Sequence, residues 1–145
     1  MNQLNKLIRS LPIGYFLFLM MGLLIISCQE DDPDIQQNFP FEVRVMPIPG
    51  ELGLNETAEI RVSILTKGNF SGTQYAIRYF QFEGKGDLQC GGEPAYLPND
   101  LYYLLKKDFR LNYTSKSEES HRFSIWISDN FGNEKQIDFE FEYSD

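Results

Sequence analysis

The sequence predicts an all-β domain, an antiparallel immunoglobulin-like β-sandwich of about seven strands. Apolar and polar residues alternate with a period of two through most of the chain after residue 40. Glycine, asparagine, aspartate and proline residues separate these runs, and no long segment shows the 3.6-residue periodicity of an amphipathic helix. The Cys…Trp…Cys core of antibody domains is absent, so the likeness is one of architecture.

Three strands are predicted in the first half of the domain. The first covers residues 41–45 and ends before the strand-breaking segment 47–50, which contains two prolines and a glycine. The second runs from Thr57 to Leu65, and its apolar residues occupy every second position, as in a strand buried on one face. The third runs from Thr73 to Phe82. It places Tyr75, Ile77 and Tyr79 on one face and Arg78, Phe80 and Phe82 on the other.

The second half of the domain contains four further predicted strands. They cover Leu88 to Cys90, Phe109 to Tyr113, Phe123 to Ile127 and Ile137 to Tyr143. Segment 129–133 is predicted to be a hairpin turn, with Gly132 suited to a left-handed backbone conformation. Residues 93–107 lack a regular pattern, so we expect mostly loop there, with a short helix as the alternative.

Residues 1–27 are predicted to be the signal peptide of a lipoprotein. A short basic segment with Lys6 and Arg9 precedes an apolar run that ends in Leu24-Ile25-Ile26-Ser27-Cys28. Aliphatic residues followed by a small residue and a cysteine form a lipobox, so cleavage is expected between Ser27 and Cys28, with lipid on the Cys28 thiol. The alternative is an uncleaved membrane helix, for which the 17 residues from Leu11 to Ser27 are short.

Residues 28–40 are predicted to be a lipidated N-terminus followed by an acidic tether. Three aspartates and a glutamate lie between Cys28 and Ile35. This stretch resembles the acidic export signal that sends Bacteroidetes lipoproteins to the outer face of the outer membrane, and its alternative is a solvated spacer. We therefore expect a lipid-anchored protein of the cell envelope at the outer membrane, and the cell-surface face stays open.

The composition argues against several classes of function. The chain has 13 basic and 21 acidic side chains, and the signal peptide removes two of the basic ones, so the mature part is more acidic still. Such a domain repels phosphate backbones, which argues against direct nucleic-acid binding. A lone histidine, His121, is expected to be an exposed edge residue, and a second histidine or a thiolate cluster for zinc is lacking.

No pattern of catalytic residues stands out. A Gly-x-Ser-x-Gly elbow is absent, and Cys90 has no histidine partner near it in sequence, so it is expected to be a buried or half-buried structural thiol. Segment 129–133 is too short for an EF-hand loop, and no helix follows the Gly84-Lys85-Gly86 turn to make it a phosphate site. We expect no enzymatic activity, no cofactor and no metal.

A group of aromatic and basic side chains is the candidate binding site. Trp126 lies on the opposite face of its strand from Phe123, Ile125 and Ile127, just as Phe80 and Phe82 oppose the inward face of theirs. With Arg78 and Arg122 beside them, these rings would form a flat patch suited to a protein partner or a sugar ring. In the alternative, which we favour, residues 93–107 fold over the rings and make a second core.

Several ordered segments together resemble the TraQ family of conjugative transposon proteins from Bacteroidetes. They are residues 34–37, 40–41, 45–47, 77–81, 84–86, 97–100, 109–111, 113–115 and 129–132. The resemblance covers nearly the whole mature domain and the lipoprotein start. It implies an accessory, non-enzymatic part in conjugative DNA transfer, with envelope proteins of the mating apparatus as partners. The alternative function is a surface glycan-binding or adhesion module, for which Trp126 would be prominent.

Overall fold

The computed structural model describes residues 36–145 and shows a sandwich of two β-sheets. Within these residues there are nine strands and no helix. Their bounds are β1 Phe41–Val45, β2 Glu51–Leu52, β3 Thr57–Thr66, β4 Tyr75–Glu83, β5 Gly86–Cys90, β6 Leu101–Leu104, β7 Asp108–Ser115, β8 His121–Asp129 and β9 Glu134–Tyr143. The predicted all-β sandwich is confirmed.

The order of the strands is that of an immunoglobulin-like sandwich. One sheet has the order β1-β3-β7-β5 and the other β2-β9-β8-β4-β6. The first corresponds to the ABED sheet of a constant-type domain, and β4, β8 and β9 correspond to its CFG sheet. The short strand β2 extends that second sheet beside β9, and β6 extends it beside β4. All pairs are antiparallel except β2 with β9, which is parallel.

The core lies between the two sheets and is rich in aromatic side chains. Alternation along each strand sends every second residue inward, so both sheets contribute an apolar inner face. The largest fully buried side chains of the four-stranded sheet are Phe41, Ile60, Leu88, Leu111 and Tyr113, and those of the five-stranded sheet are Ile77, Tyr79, Ile125, Ile127, Phe123 and Phe141. The rings of Tyr113 and Phe123 stack across the two sheets with their centroids 4.4 Å apart.

Two strands were not predicted. Strand β2 has two residues and follows a proline-rich break, where no alternation can be read. Strand β6 lies in the segment expected to be loop or a short helix, and that expectation is wrong for Leu101–Leu104. The remaining seven strands agree with the prediction to within three residues at their ends, the largest difference being the start of β9 at Glu134.

The N-terminal predictions lie outside the described residues. These are the signal peptide, cleavage between Ser27 and Cys28, lipid on Cys28 and the tether up to residue 35. Among residues 36–145, no helix has the length and apolar character needed to cross a bilayer.

Candidate interaction surface

The outer face of the five-stranded sheet carries the predicted aromatic and basic residues. Arg78, Phe80 and Phe82 alternate with the buried inner residues of β4, and Arg122 and Trp126 alternate with those of β8. The two strands are antiparallel neighbours, with Arg78 directly opposite Trp126 and Phe80 opposite Ser124. All five predicted residues therefore lie on one continuous surface, which we call the open face.

Trp126 is held in a fixed orientation at the centre of the open face. Its indole Nε1 donates a hydrogen bond to Oε1 of Gln136 on β9, over 3.1 Å. Cζ of Arg78 lies 5.0 Å from the centroid of the indole ring, a cation–π contact, and the guanidinium also approaches Glu134 at 3.9 Å. The ring is half-buried, because Arg78 covers part of its surface.

Phe80 and Phe82 form an aromatic pair beside Trp126. Their ring centroids are 5.0 Å apart in an edge-on arrangement, and Phe82 remains 48% exposed. Cζ of Arg122 lies 5.6 Å from the Phe82 centroid, and its guanidinium donates to Oε1 of Glu83 over 2.6 Å. The register shifts between Gln81 and Glu83, and this irregularity brings Glu83 opposite Arg122.

A polar margin along β9 borders the aromatic part of the open face. Oδ1 of Asp138 accepts hydrogen bonds from the Ser124 hydroxyl and from Nε2 of Gln136, the latter over 2.8 Å. These bonds, that from Ser124 first, hold the pKa of the Asp138 carboxyl below its usual range, and the Arg122 charge adds to the effect. The carboxylate therefore stays ionised beside the aromatic group.

Residues 93–107 do not cover the open face, so the favoured alternative of a second core is wrong. The loop before β6 instead closes the side of the sandwich. The Tyr96 amide donates to the Leu88 carbonyl of the four-stranded sheet over 2.7 Å, and the Asn99 amide donates to the Tyr79 carbonyl of the other sheet over 2.8 Å. The ring of Tyr96 in this loop stacks on that of Tyr102 in β6, with centroids 4.1 Å apart, at the border of the core.

Strand β6, which the sequence pattern does not predict, enlarges the open face. Leu101 pairs with Arg78, and Tyr103 pairs with Ala76, so both side chains stand on the outer side of the sheet. They are 55% and 70% exposed. The alternation of Leu101 and Tyr103 with the half-buried Tyr102 and Leu104 was a signal for a strand, but an unbroken apolar run hides it.

His121 is fully buried, so its predicted exposure at the strand edge is wrong. It shares the inward face of β8 with Phe123 and Ile125, because the three residues occupy every second position of the strand, and this spacing is visible in the sequence. The Tyr113 hydroxyl lies 2.8 Å from Nδ1, and the Ser115 hydroxyl lies 3.0 Å from Nε2. Both ring nitrogens thus have a partner inside the protein, which explains how a polar side chain is tolerated there.

The hydrogen bonds around His121 extend into a single chain through the core. The Tyr79 hydroxyl donates to the Gln81 amide oxygen, and Nε2 of Gln81 donates to the Tyr113 oxygen over 2.8 Å. Tyr113 is then left to donate to Nδ1 of His121. The Ser115 hydroxyl donates to the Ser117 carbonyl over 3.1 Å, which leaves it to accept from Nε2. This order of donors assigns the Nε2–H tautomer to the imidazole.

The Gly84-Lys85-Gly86 turn packs directly on this polar chain. Gly84 has φ of +72°, and a Cβ there would lie 2.4 Å from Nδ1 of His121. A Cβ on Gly86 would lie 2.3 Å from the Tyr113 ring. The predicted turn is confirmed, and both glycines are required by close approach to buried side chains.

Cys90 is half-buried, as predicted, beside a cleft at the side of the sandwich. Burial raises the pKa of its thiol, and a hydrogen bond with Tyr96 opposes part of that rise. The thiol is therefore protonated at neutral pH, when it is a weak nucleophile. The described residues contain no group of three histidine, cysteine or carboxylate side chains placed to hold a metal ion.

Comparison with known proteins identifies relatives of the whole domain. The sequence profile of the family described as TraQ conjugal transfer protein matches residues 13–144. No curated protein is similar enough to this chain to count as a relative. Three solved structures from Bacteroides are similar in both sequence and fold.

A conjugative transposon lipoprotein from Bacteroides eggerthii is 45% identical, with a TM-score of 0.67, and the match covers 72% of this chain and 98% of that one. A lipoprotein from Bacteroides thetaiotaomicron is 44% identical, with a TM-score of 0.68, over 79% and 88% of the two chains. A conjugate transposon protein from Bacteroides vulgatus is 42% identical, with a TM-score of 0.66, over 77% and 91%. The chain therefore belongs to the TraQ family of conjugal transfer proteins.

Proposed function

We propose that this protein is a lipid-anchored, non-enzymatic accessory component of a conjugative transposon's mating apparatus, which it supports by binding another envelope protein. Membership of the TraQ family supports the part in conjugal transfer. The open face supports the mode of action, because it is a fixed aromatic and arginine surface that nothing in residues 36–145 covers.

The anchor is proposed on the sequence and on two relatives. Ser27-Cys28 ends an apolar run in the pattern of a lipobox, and the relatives from B. eggerthii and B. thetaiotaomicron are called lipoproteins. A diacylated or triacylated Cys28 gives stable attachment, whereas one chain alone is marginal. We place the anchored protein in the cell envelope at the outer membrane. An anchor raises the local concentration of the domain for partners in the same envelope.

Binding through the open face follows from the kind of residues it presents. Tryptophan, tyrosine and arginine are the side chains that contribute most to protein interfaces. The two aromatic ones bury large areas with few rotatable bonds, and arginine offers several hydrogen-bond donors on a planar group. Here Trp126 and Arg78 are fixed by contacts with their neighbours, so little side-chain freedom remains to be lost on binding. Phe82, Leu101 and Tyr103 supply the exposed apolar area around them.

Non-enzymatic action is supported by what surrounds the reactive side chains. Both nitrogens of His121 are engaged inside the core, and the Cys90 thiol is protonated at neutral pH. His121 lies inside the core, and no histidine lines the cleft beside Cys90 to act as the base that would activate its thiol.

The alternative, binding of a surface glycan, is less well supported by the open face. Stacking of a sugar needs a free aromatic face, and Arg78 lies over the indole of Trp126 at 5.0 Å. The exposed Tyr103 ring keeps this alternative open to test. Loss of polysaccharide binding in Trp126→Ala, with unchanged mating, would favour it.

The experiment is deletion of the gene from its element and complementation with variants, with mating frequency as the readout. Wild type should restore transfer, and Phe82→Ala combined with Trp126→Ala should fail although the protein accumulates normally. Leu65→Ala is the matched control, because Leu65 is 40% exposed on the other sheet. Cys28→Ser tests the anchor separately, through loss of the protein from the membrane fraction. Unchanged transfer on deletion would reject the proposal.

A further inference from the structure

Each sheet has two edges, and three of the four are protected against pairing with another chain. Strand β1 follows Pro40 and precedes Pro47, and it carries the charged residues Glu42 and Arg44. Strand β2 is only two residues long. Along β5 the Tyr96 amide already donates to the Leu88 carbonyl, so a loop covers that edge. Short length, charge, proline and covering loops are the usual means of protecting an edge.

The edge formed by β6 lacks these protections. Its sequence, Leu101-Tyr102-Tyr103-Leu104, is wholly apolar or aromatic and is followed by Leu105, which is 92% exposed. One side of β6 pairs with β4, and on the other side no backbone hydrogen bond to residues 101–105 is formed within the described part of the chain. An exposed apolar edge of this kind is a template for an added strand.

There is also room for an added strand beside this edge. A cleft of about 430 Å³ opens next to it, lined on one side by Tyr103 to Lys106 and on the other by Phe109, Cys90 and Gly91. Residues of an added strand that point inward would enter this cleft, while those that point outward would extend the open face.

The sequence around β6 is complementary to itself when two copies run antiparallel. If a two-fold axis passes through Tyr103, each Tyr103 lies opposite its counterpart, and Leu101 lies opposite Leu105 of the other copy. In the same register Asp100 of each copy lies opposite Lys106 of the other. Apolar pairs at the centre and opposite charges at both ends are the cross-strand pairs that stabilise an antiparallel ladder.

We propose that the partner of the β6 edge is the β6 edge of a second copy of this chain. The two five-stranded sheets then join into one continuous sheet with an isologous two-fold interface. Charge complementarity favours a second copy over an unrelated strand. In the register centred on Tyr103, Asp100 of each copy faces Lys106 of the other, so the same ion pair forms twice. The dimer places two open faces side by side, with Leu101, Tyr103 and Leu105 of both copies at the junction.

Cysteine cross-linking tests the register in the full-length, membrane-bound protein. Opposite residues of an antiparallel pair have Cα atoms about 4.5–5.5 Å apart, within the range that a disulfide spans. In a Cys90→Ser background, Tyr103→Cys should give a product of twice the mass under mild oxidation. Leu65→Cys, a comparably exposed site on the other sheet, should give none.

A charge exchange tests the same interface without a thiol. Asp100→Lys or Lys106→Asp alone places like charges opposite each other, so the full-length protein in detergent should dimerise at least about tenfold more weakly. The double variant should restore the dimer. Light scattering after gel filtration measures the mass of each form.

Three results would overturn the proposal. The first is absence of the Tyr103→Cys product, and the second is an equal product from Leu65→Cys, which indicates collision. The third is a cross-linked product whose mass identifies a different protein, which would assign the edge to a foreign strand.

Discussion

The hydroxyl of Tyr113 on β7 contacts Nδ1 of His121 on β8 at 2.8 Å, and this contact joins the two sheets inside the core. Tyr113 also accepts from Gln81 on β4, so one phenol oxygen connects three strands. No buried side-chain nitrogen or oxygen lacks a partner among the described residues. A buried polar chain whose members are all satisfied fixes the relative position of the strands that supply it.

Removal of the imidazole should therefore destabilise the fold strongly. In His121→Leu the Tyr113 hydroxyl loses the acceptor of its proton in a buried site, whereas the Ser115 hydroxyl keeps its hydrogen bond to the Ser117 carbonyl. An orphaned buried group costs about 1–3 kcal/mol, so the free energy of unfolding in urea should fall by at least that amount. Ser120→Ala is the control, since its hydroxyl bonds to Glu142 at the surface. Equal stability of the two variants would contradict the proposed role of the polar chain.

Alkaline pH should weaken the fold through Tyr113. Burial raises the pKa of Tyr113 to about 12 in the folded protein, from an ordinary value of 10.0. The contribution of Tyr113 to the free energy of unfolding is complete below pH 10, because the phenol is then protonated in both the folded and the unfolded protein. Above pH 10 the unfolded state loses the proton first, so the free energy of unfolding should decline up to about pH 12.

The measurement is urea unfolding at a series of pH values, with phenolate absorbance recorded on the folded protein. Tyr113→Phe should show a shallower decline over pH 10–12 than the wild type. A wild-type curve parallel to that of Tyr113→Phe would show that this tyrosine does not carry the effect.

Two of the three described glycines with left-handed backbones, Gly84 and Gly132, allow the cost of the backbone conformation to be separated from the cost of steric overlap. Gly84 has φ of +72° and Gly132 has φ of +88°, yet a Cβ meets His121 only at Gly84 and has nothing within 4 Å at Gly132. Alanine at either position should cost about 1–2 kcal/mol for the left-handed backbone conformation. Gly84→Ala should cost about 1–3 kcal/mol more, as in an overpacked core. Equal losses in thermal or urea unfolding would rule out the close packing of the turn on His121.

The ionisation of Asp138 should depend on Ser124. The Ser124 hydroxyl is the first cause of the lowered pKa of this carboxyl, so Ser124→Ala should raise that pKa toward its usual value. Because the pKa of this carboxyl is lower in the folded state, the carboxylate stabilises the fold at pH values above the pKa of the unfolded state. This stabilisation is lost as the pH falls below about 4. Titration of the Asp138 carboxyl carbon by NMR measures the change, and Gln136→Ala should cause a smaller one.

The sequence was sufficient to predict the strands that alternate and the face that each side chain occupies. The alternation along β4 and β8 alone places Phe80, Phe82 and Trp126 on the face opposite their apolar inner neighbours. Strand β6 was missed since its inner and outer residues are both apolar, so that alternation is hidden. Whether residues 93–107 covered the aromatic rings depended on hydrogen bonds from Tyr96 and Asn99 to two different sheets, and no local pattern encodes contacts of that range.

His121 illustrates a different limit of sequence reasoning. Its position two residues before Phe123 points it inward in β8, whereas a polar side chain at the start of a strand is usually exposed. The partners that make its burial tolerable, Tyr113 and Ser115, lie on another strand of the opposite sheet. Their convergence is a property of the sandwich and could not be derived from the residues around position 121.

The two ends of the sandwich have different neighbours. Asn38, just before β1, accepts a hydrogen bond from Asn133 in the β8–β9 turn, and Lys135 pairs with Glu42. Asn38 therefore lies at the end of the sandwich where that turn lies, whereas residues 116–120 lie at the other end, beside the start of β8. An epitope inserted at residues 116–120 would thus lie at the end of the sandwich away from Asn38, and its accessibility to an impermeant antibody on intact cells would report whether the domain faces the outside of the cell.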